Sequence, residues 1–369
     1  MEHEVPVVRV EEVIPIEGAD RIEAVRIGGY RSITMKGQYR PGDLAVYIPC
    51  GSLVPYPLIE KMGLTGKLSG SKKNRVKEIK LKGVLSEGLV LDSETFYKHL
   101  QAVEYAGDLV WEEGANYASA LGIEKYEPAI PATMMGKAKP YPYTLAYDIE
   151  NIKKYDRVFQ EGEPVVMSEK IHGTLIQLGL VHNEDGTTTK FVTSKGLGKA
   201  GVIIQDVPEN DNNLYLKTAK AYGLFEKLDA LDEGKDVYIF GEVYGKSGQS
   251  NIQDLTYTDA VSGEAQFRAF DIYEGPKGKG RWLDVVEFLL ACEAIGIPTV
   301  NYVYDGLFSW VAVAEHTKGR ETMSGKGIHL REGIVIRPRK ERETRGLGRV
   351  ILKSVSEDYV LRKGGTEFN

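Results

Sequence analysis

The first hundred residues are written as short β-rich runs cut apart by glycine and proline, and this rhythm constrains the fold more than any other feature. The runs are Pro6–Val10, Glu23–Ile27, Ser32–Met35, Leu44–Pro49, Val76–Leu81 and Leu89–Leu91, with Gly28, Gly29, Gly37, Pro41 and Gly42 between them. Strands this short hide an apolar face best by curling into a small barrel, so an OB-like fold is expected, with an SH3-like barrel as the alternative. From about residue 150 the rhythm changes. Leu214, Leu216, Ala219, Tyr222, Phe225 and Leu228 recur at helical spacing and predict a helix within 211–231. A second helix is predicted over Trp282–Ile295, stopped by Gly296 and Pro298. Strand-like runs precede the sequence motifs of this half, which reads as an antiparallel α+β domain, not a doubly wound parallel sheet. Pro128, Pro131, Met134, Pro140 and Pro142 mark an irregular stretch between the two patterns. The expected organisation is an OB-like nucleic-acid-binding domain over 1–104, a connector over 105–147 and a second domain over 148–369.

Composition removes several function classes. Only Cys50 and Cys292 are present, with no C-x-x-C, which argues against a structural zinc site or a disulfide framework. The histidines lack metal-ligand spacing. The acidic N-terminus has no signal-peptide pattern, and no uncharged apolar stretch approaches ~20 residues. A soluble intracellular or cytoplasmic protein with no membrane partner is expected. The net charge of −6 gives no global basic field, although local patches can still grip phosphates.

The chemistry concentrates in Glu169-Lys170-Ile171-His172-Gly173-Thr174, which follows the apolar run Pro164–Met167. A strand ending in a tight turn can present a lysine amine in a pocket. Such an amine is a nucleophile only when deprotonated, through burial or a neighbouring cation. This hexapeptide resembles the nucleotidyl-transfer motif of the covalent nucleotidyltransferases, and its His-Gly-Thr form is similar to that of RNA ligases sealing 3′-hydroxyl ends. Further segments resemble the later motifs of that family in order. Val192–Gly196 offers Lys195 for a phosphate, and Val237–Gly245 offers Glu242 for ribose hydroxyls. Phe267–Tyr273 offers Phe270 to cover the adenine and Asp271 to support the pocket. His329–Pro338 offers Glu332 as the metal-facing carboxylate, and Arg349–Ser354 offers Lys353 for the α-phosphate. The family often has two lysines one residue apart in this last motif. Ile351 stands where the first is expected, so either Arg349 substitutes for it or Lys353 serves alone.

The resemblance implies an ATP-dependent RNA ligase of the Deinococcus type. The expected fold is an OB-like barrel followed by an antiparallel α+β nucleotidyltransferase (ATP-grasp-like ligase) domain. The chain ends soon after the last motif, so an OB domain following it is not expected. Lys170 would form a lysyl-AMP, pass AMP to a 5′-phosphate and let a 3′-hydroxyl displace it, at nicks in RNA-containing duplexes. Lys170, Glu242, Glu332 and Lys353 are the expected catalytic residues. Glu169, Ile171, Gly173, Lys195, Glu242, Phe270, Arg349 and Lys353 are expected around the nucleotide. Glu332 would face Mg²⁺ or Mn²⁺, held mostly through water. Lys353 is also expected to help keep Lys170 neutral by like-charge proximity. Lys72, Lys73, Arg75 and Lys77, in a basic run from Lys61 to Lys82, are expected to track an RNA backbone. A second basic cluster runs from Arg337 to Arg349. A monomer is expected. A GTP-using capping enzyme and a non-catalytic RNA-binding protein are the rival readings. Two other patterns lack their context. Gly196–Gly201 fits G-x-G-x-x-G but leads into a strand-like run, and Gly241–Ser247 is one residue short of a P-loop.

Overall fold

The computed structural model describes residues 3–127, 136–247, 250–257 and 264–362. The chain divides near residue 128 into two compact units. In the first, Val7–Arg9, Leu44–Ile48 and Leu89–Leu91 form an antiparallel sheet with Leu44–Ile48 at its centre. Glu12–Pro15, Ile22–Ile27 and Tyr30–Met35 form a meander. The Ser32 hydroxyl donates to the Gly88 carbonyl at 3.0 Å, and the Glu87 amide donates to the Arg31 carbonyl at 2.7 Å, tying meander to sheet. Gly88 has φ +83°, and a Cβ there would lie 2.6 Å from the Tyr47 ring, so this tie needs glycine.

A helix not foreseen from the sequence follows at Ser93–Ala102. Asp92 caps it by accepting from the Thr95 amide at 2.8 Å. Its Phe96 and Leu100 join Tyr117, Leu121 and Ile123 in the first core. Part of the stretch expected to be connector thus packs into the first unit. A later part, Ala138–Pro140, pairs with Val202–Ile204 in the second. Pro128, Pro131 and Met134 lie outside the described residues.

The second unit is built on two sheets. The larger orders its strands Ala138–Pro140, Val202–Ile204, Thr188–Ser194, Thr174–His182, Val237–Ser247, Ala265–Glu274 and Arg281–Trp282, with Ser250–Asn251 pairing off Val237–Ser247. The smaller orders Glu150–Asn151, Leu352–Val355, Gly333–Pro338, Pro164–Lys170 and Tyr302–Leu307. Among the described strands of these sheets only the Glu150–Asn151 pairing is parallel. The helix expected within 211–231 is two helices, Leu214–Ala221 and Leu224–Ala230, broken at Gly223 with φ +59°. Their apolar faces bury against the larger sheet together with Phe288 and Cys292 of the Val285–Ala294 helix. Among the described residues no helix is long and apolar enough to cross a membrane.

Candidate active site

The three residues after Met167 complete a strand, and the next three carry the chain from one sheet to the other. Pro164–Lys170 ends in the smaller sheet with Lys170 opposite Gly333, and Thr174 opens the larger sheet opposite Val243. The turn between them passes very close to the Val237–Ser247 strand. A Cβ on Gly173 would lie 2.4 Å from the Val243 carbonyl oxygen and 2.9 Å from Glu242 Cγ. The sheet register then places Glu332 next to the partner of Lys170, and sets Lys353 opposite Val335 on the adjoining strand. The seam between the sheets thus gathers Lys170, Glu242, Glu332 and Lys353.

Lys170 Nζ donates to Glu332 Oε1 at 2.5 Å, and the Glu332 side chain is only 3% exposed. Burial alone would raise the Glu332 pKa, but the Lys170 ammonium and a hydrogen bond with His172 outweigh it and hold it at about 2. For Lys170, burial favours the neutral amine, yet Glu332 and Glu242 outweigh it and push the pKa above the ordinary lysine value. Glu242 is pushed up to about 8 by burial, with Lys170 opposing the shift. Lys353 is pushed down to about 8 by burial first, then by the Lys170 and Lys195 cations. In this arrangement Glu332 favours the charged form of Lys170, and it is the Lys353 ammonium that burial and its cationic neighbours oppose.

The other expected residues separate into two groups. Lys195 begins a short helix capped by Ser194, pairs with Asp148 at 2.7 Å and is near enough to act on both Glu242 and Lys353. Phe270 is half-buried between Tyr147 and the cluster of Ile171, Tyr244, Tyr257 and Val300. Ile171 is itself core, which leaves its backbone, not its side chain, to meet a ligand. Glu169 is buried, its Oε2 accepting from the Thr322 amide at 2.7 Å and hydroxyl at 2.5 Å, while its Oε1 has no hydrogen-bond partner among the described residues. A cavity of about 570 Å³ adjoins it, lined by Asn301, Thr322 and Arg331 among others.

Arg349 does not offer itself to a phosphate. Its guanidinium bonds both oxygens of Asp271 and both of Glu341, and lies 4.1 Å from the centre of the Trp282 ring. Arg337 and the Tyr147 hydroxyl complete the shell of Asp271. Arg342 pairs with Glu163 and Arg339 with Asp305, so the second basic cluster is largely ion-paired within its own unit. In the first unit, Lys72 and Lys73 are exposed and Lys77 is half-buried. Arg75 is turned inward, buried over the Tyr126 ring at 3.7 Å, and is not a surface cation.

Sequence reasoning passed over His172 and its surroundings. Its Nε2 lies 2.5 Å from Asp254 Oδ1 and its Nδ1 lies 2.5 Å from the Tyr359 hydroxyl. Its amide donates to the Tyr257 hydroxyl at 2.6 Å. Asp254 and Tyr359 stand 82 and 187 residues away, and no local pattern marks them. Among the described residues no cluster of three or more His, Cys, Asp or Glu forms a metal cage. The buried Glu332 carboxylate beside an ionisable Glu242 fits a largely hydrated cation held by one or two carboxylates.

A family model described as RNA ligase matches residues 163–355, more than half of the chain, and an OB-fold domain model matches residues 5–93. No curated protein matches. Among solved structures, Naegleria gruberi RNA ligase aligns as a variant with ATP and manganese, and again with pyrophosphate. Each of these is 20% identical at a TM-score of 0.73, covering 97% of this chain and 98% of the other. A further variant of that ligase, with AMP and manganese, is 19% identical at the same TM-score and coverage. The likeness spans both units and supports the OB fold and the ligase-type α+β fold expected from the sequence.

Proposed function

The chain belongs to the RNA ligase family, and from that premise we propose that Lys170 is the nucleophile of an ATP-dependent strand-sealing reaction. The Nζ lone pair forms a nitrogen–phosphorus bond to the α-phosphate of ATP as the bond to the bridging oxygen breaks. Pyrophosphate leaves and the nitrogen gives up a proton. A 5′-phosphate oxygen next displaces the lysine from AMP. A 3′-hydroxyl oxygen then attacks that 5′-phosphorus, AMP departs and the strand is sealed, at nicks in duplexes with RNA on the 3′-hydroxyl side.

The observation that carries this reading is the meeting of Lys170, Glu242 and Lys353, on strands of two sheets, with Glu332, which immediately precedes the Gly333–Pro338 strand. Lys353 and Lys195 take the phosphate charge, Glu242 the ribose hydroxyls and Phe270 one face of the adenine. Glu332 holds a divalent cation, which when bound supplies charge neutralisation on the phosphate oxygens. Glu332 favours the ammonium form of Lys170, so the amine must give up a proton before its lone pair can attack. The Naegleria structures carry ATP, AMP and pyrophosphate, the nucleotides and leaving group of such a first step, which supports the reading. The protein acts as a monomer inside the cell, with RNA gripped by the basic loop of its first unit.

The test is covalent labelling. Full-length protein is incubated with divalent metal and α-labelled ATP or GTP and run on a denaturing gel beside Lys170→Ala. Label from ATP that vanishes in the variant is expected. Label from GTP alone turns the reading to capping chemistry, and label from neither, in a folded protein, overturns enzymatic nucleotidyl transfer.

A further inference from the structure

The segment that follows the last motif reaches back to the turn that carries Lys170. The Ser356 amide donates to the Glu332 carbonyl at 2.8 Å, and three residues later the Tyr359 hydroxyl meets His172 Nδ1. Arg362 donates back to the Glu357–Val360 helix at the Tyr359 carbonyl, 2.7 Å, and stacks over the Tyr359 ring at 3.7 Å. Its guanidinium also holds Asp254, with Nη2 at 2.8 Å from Oδ2 and 3.0 Å from Oδ1. Asp254 in turn takes the other imidazole nitrogen, Nε2. Both nitrogens of His172 are therefore held by groups that Arg362 ties together. The same ring stands with Nδ1 3.6 Å from Glu332 Oε2, whose partner oxygen bonds Lys170.

An imidazole free to rotate about its side-chain bonds would leave the turn from Ile171 to Gly173, and one oxygen of Glu332, without a fixed neighbour. Held at both nitrogens, with its amide on Tyr257, it is locked in one orientation. Tyr359 and Arg362 lie beyond the 163–355 stretch that the family model matches. Resting on the adenylylation reading above, we infer that Asp254, Tyr359 and Arg362 are positioning residues for attack by Lys170, and that they act through His172. The segment 356–362 is thus a working part of the site.

The test measures single-turnover formation of the labelled adduct by the full-length protein. Tyr359→Phe, Asp254→Asn and Arg362→Ala are each made alone and in a His172→Ala background. Each single variant is expected to slow adduct formation about tenfold or more, because small misplacements of reacting atoms cost rate steeply, with half-saturating ATP shifted less than about twofold. In the His172→Ala background the further loss is expected to fall below about twofold, since residues acting through one side chain are not additive. Equal fold-losses in both backgrounds, or wild-type rates in the single variants, overturn the inference. Tyr359→Phe removes one oxygen and keeps the ring, so it carries the test if Arg362→Ala fails to fold, with thermal midpoints as the check. A wild-type protein that takes no label removes the underlying reading itself; a wild-type protein that labels beside variants that label equally removes only this inference.

Discussion

Two carboxylates and a buried amine oppose each other around Lys170, and the balance is measurable. Glu242 is pushed up to about 8 by burial. In the unfolded chain it ionises near the ordinary value of ~4.3. Between those values the unfolded chain sheds a proton that the folded chain keeps, so this group's contribution to stability falls as pH rises through the window. Glu242→Gln has no such proton to lose. Its thermal midpoint minus that of the wild type should therefore climb between about pH 5 and about pH 8; a flat difference would mean that Glu242 is already ionised in the fold. Arg349 makes a separate residue-scale case. Arg349→Met leaves the fully buried Asp271 with Arg337 and Tyr147 only. Stripping one partner from a buried ion cluster should cost about 3 kcal/mol in urea unfolding. If the main effect were instead on ATP affinity at unchanged stability, Arg349 would be a phosphate ligand after all.

At the scale of elements, the site is made where the chain crosses from one sheet to the other over three residues, Ile171 to Gly173. Glycine allows it for a reason of space, not of dihedral freedom: a Cβ at Gly173 has no room beside Val243 and Glu242. Gly333 is similarly confined, with a Cβ due 2.0 Å from the Ser354 carbonyl oxygen. Gly173→Ala must push the turn away from the Val237–Ser247 strand, and a shift near 1 Å at the lysine should slow adduct formation about 100-fold. Adduct formation at the wild-type rate would show that the turn tolerates displacement. The Gly241 position follows the same rule, since a Cβ there would lie 2.2 Å from the Phe267 ring, next to a register shift at Phe240/Gly241.

At the scale of the whole molecule, the proposed function assigns adenylylation and RNA binding to different charges. Lys72, Lys73, Lys80 and Lys82 are exposed in the first unit. Replacing all four by alanine should reduce the slope of log affinity against log salt by roughly 3, at 0.7–0.9 per lost phosphate contact. Covalent labelling by ATP should be unchanged in the same variant. A lost label would show that the first unit takes part in the first chemical step, and an unchanged slope would place RNA elsewhere.

Much of this was legible from the chain alone because it is local. Alternation and glycine punctuation marked the strands of the first unit, and Lys170, Glu242, Glu332 and Lys353 each sit at or beside a strand that a short run announces. What tertiary structure decided is where charged side chains find partners. Arg349 and Lys353 lie four residues apart near one strand, yet one is spent on Asp271 and Glu341 while the other enters the site. The break at Gly223 and the inward turn of Arg75 over Tyr126 were equally invisible. His172 shows the limit most clearly, because its ring is held by groups 82 and 187 residues distant. Local pattern determines which backbone a segment prefers; the partner of a buried charge is set by whichever group the fold brings within hydrogen-bond reach, and that is a property of packing, not of any short stretch of chain.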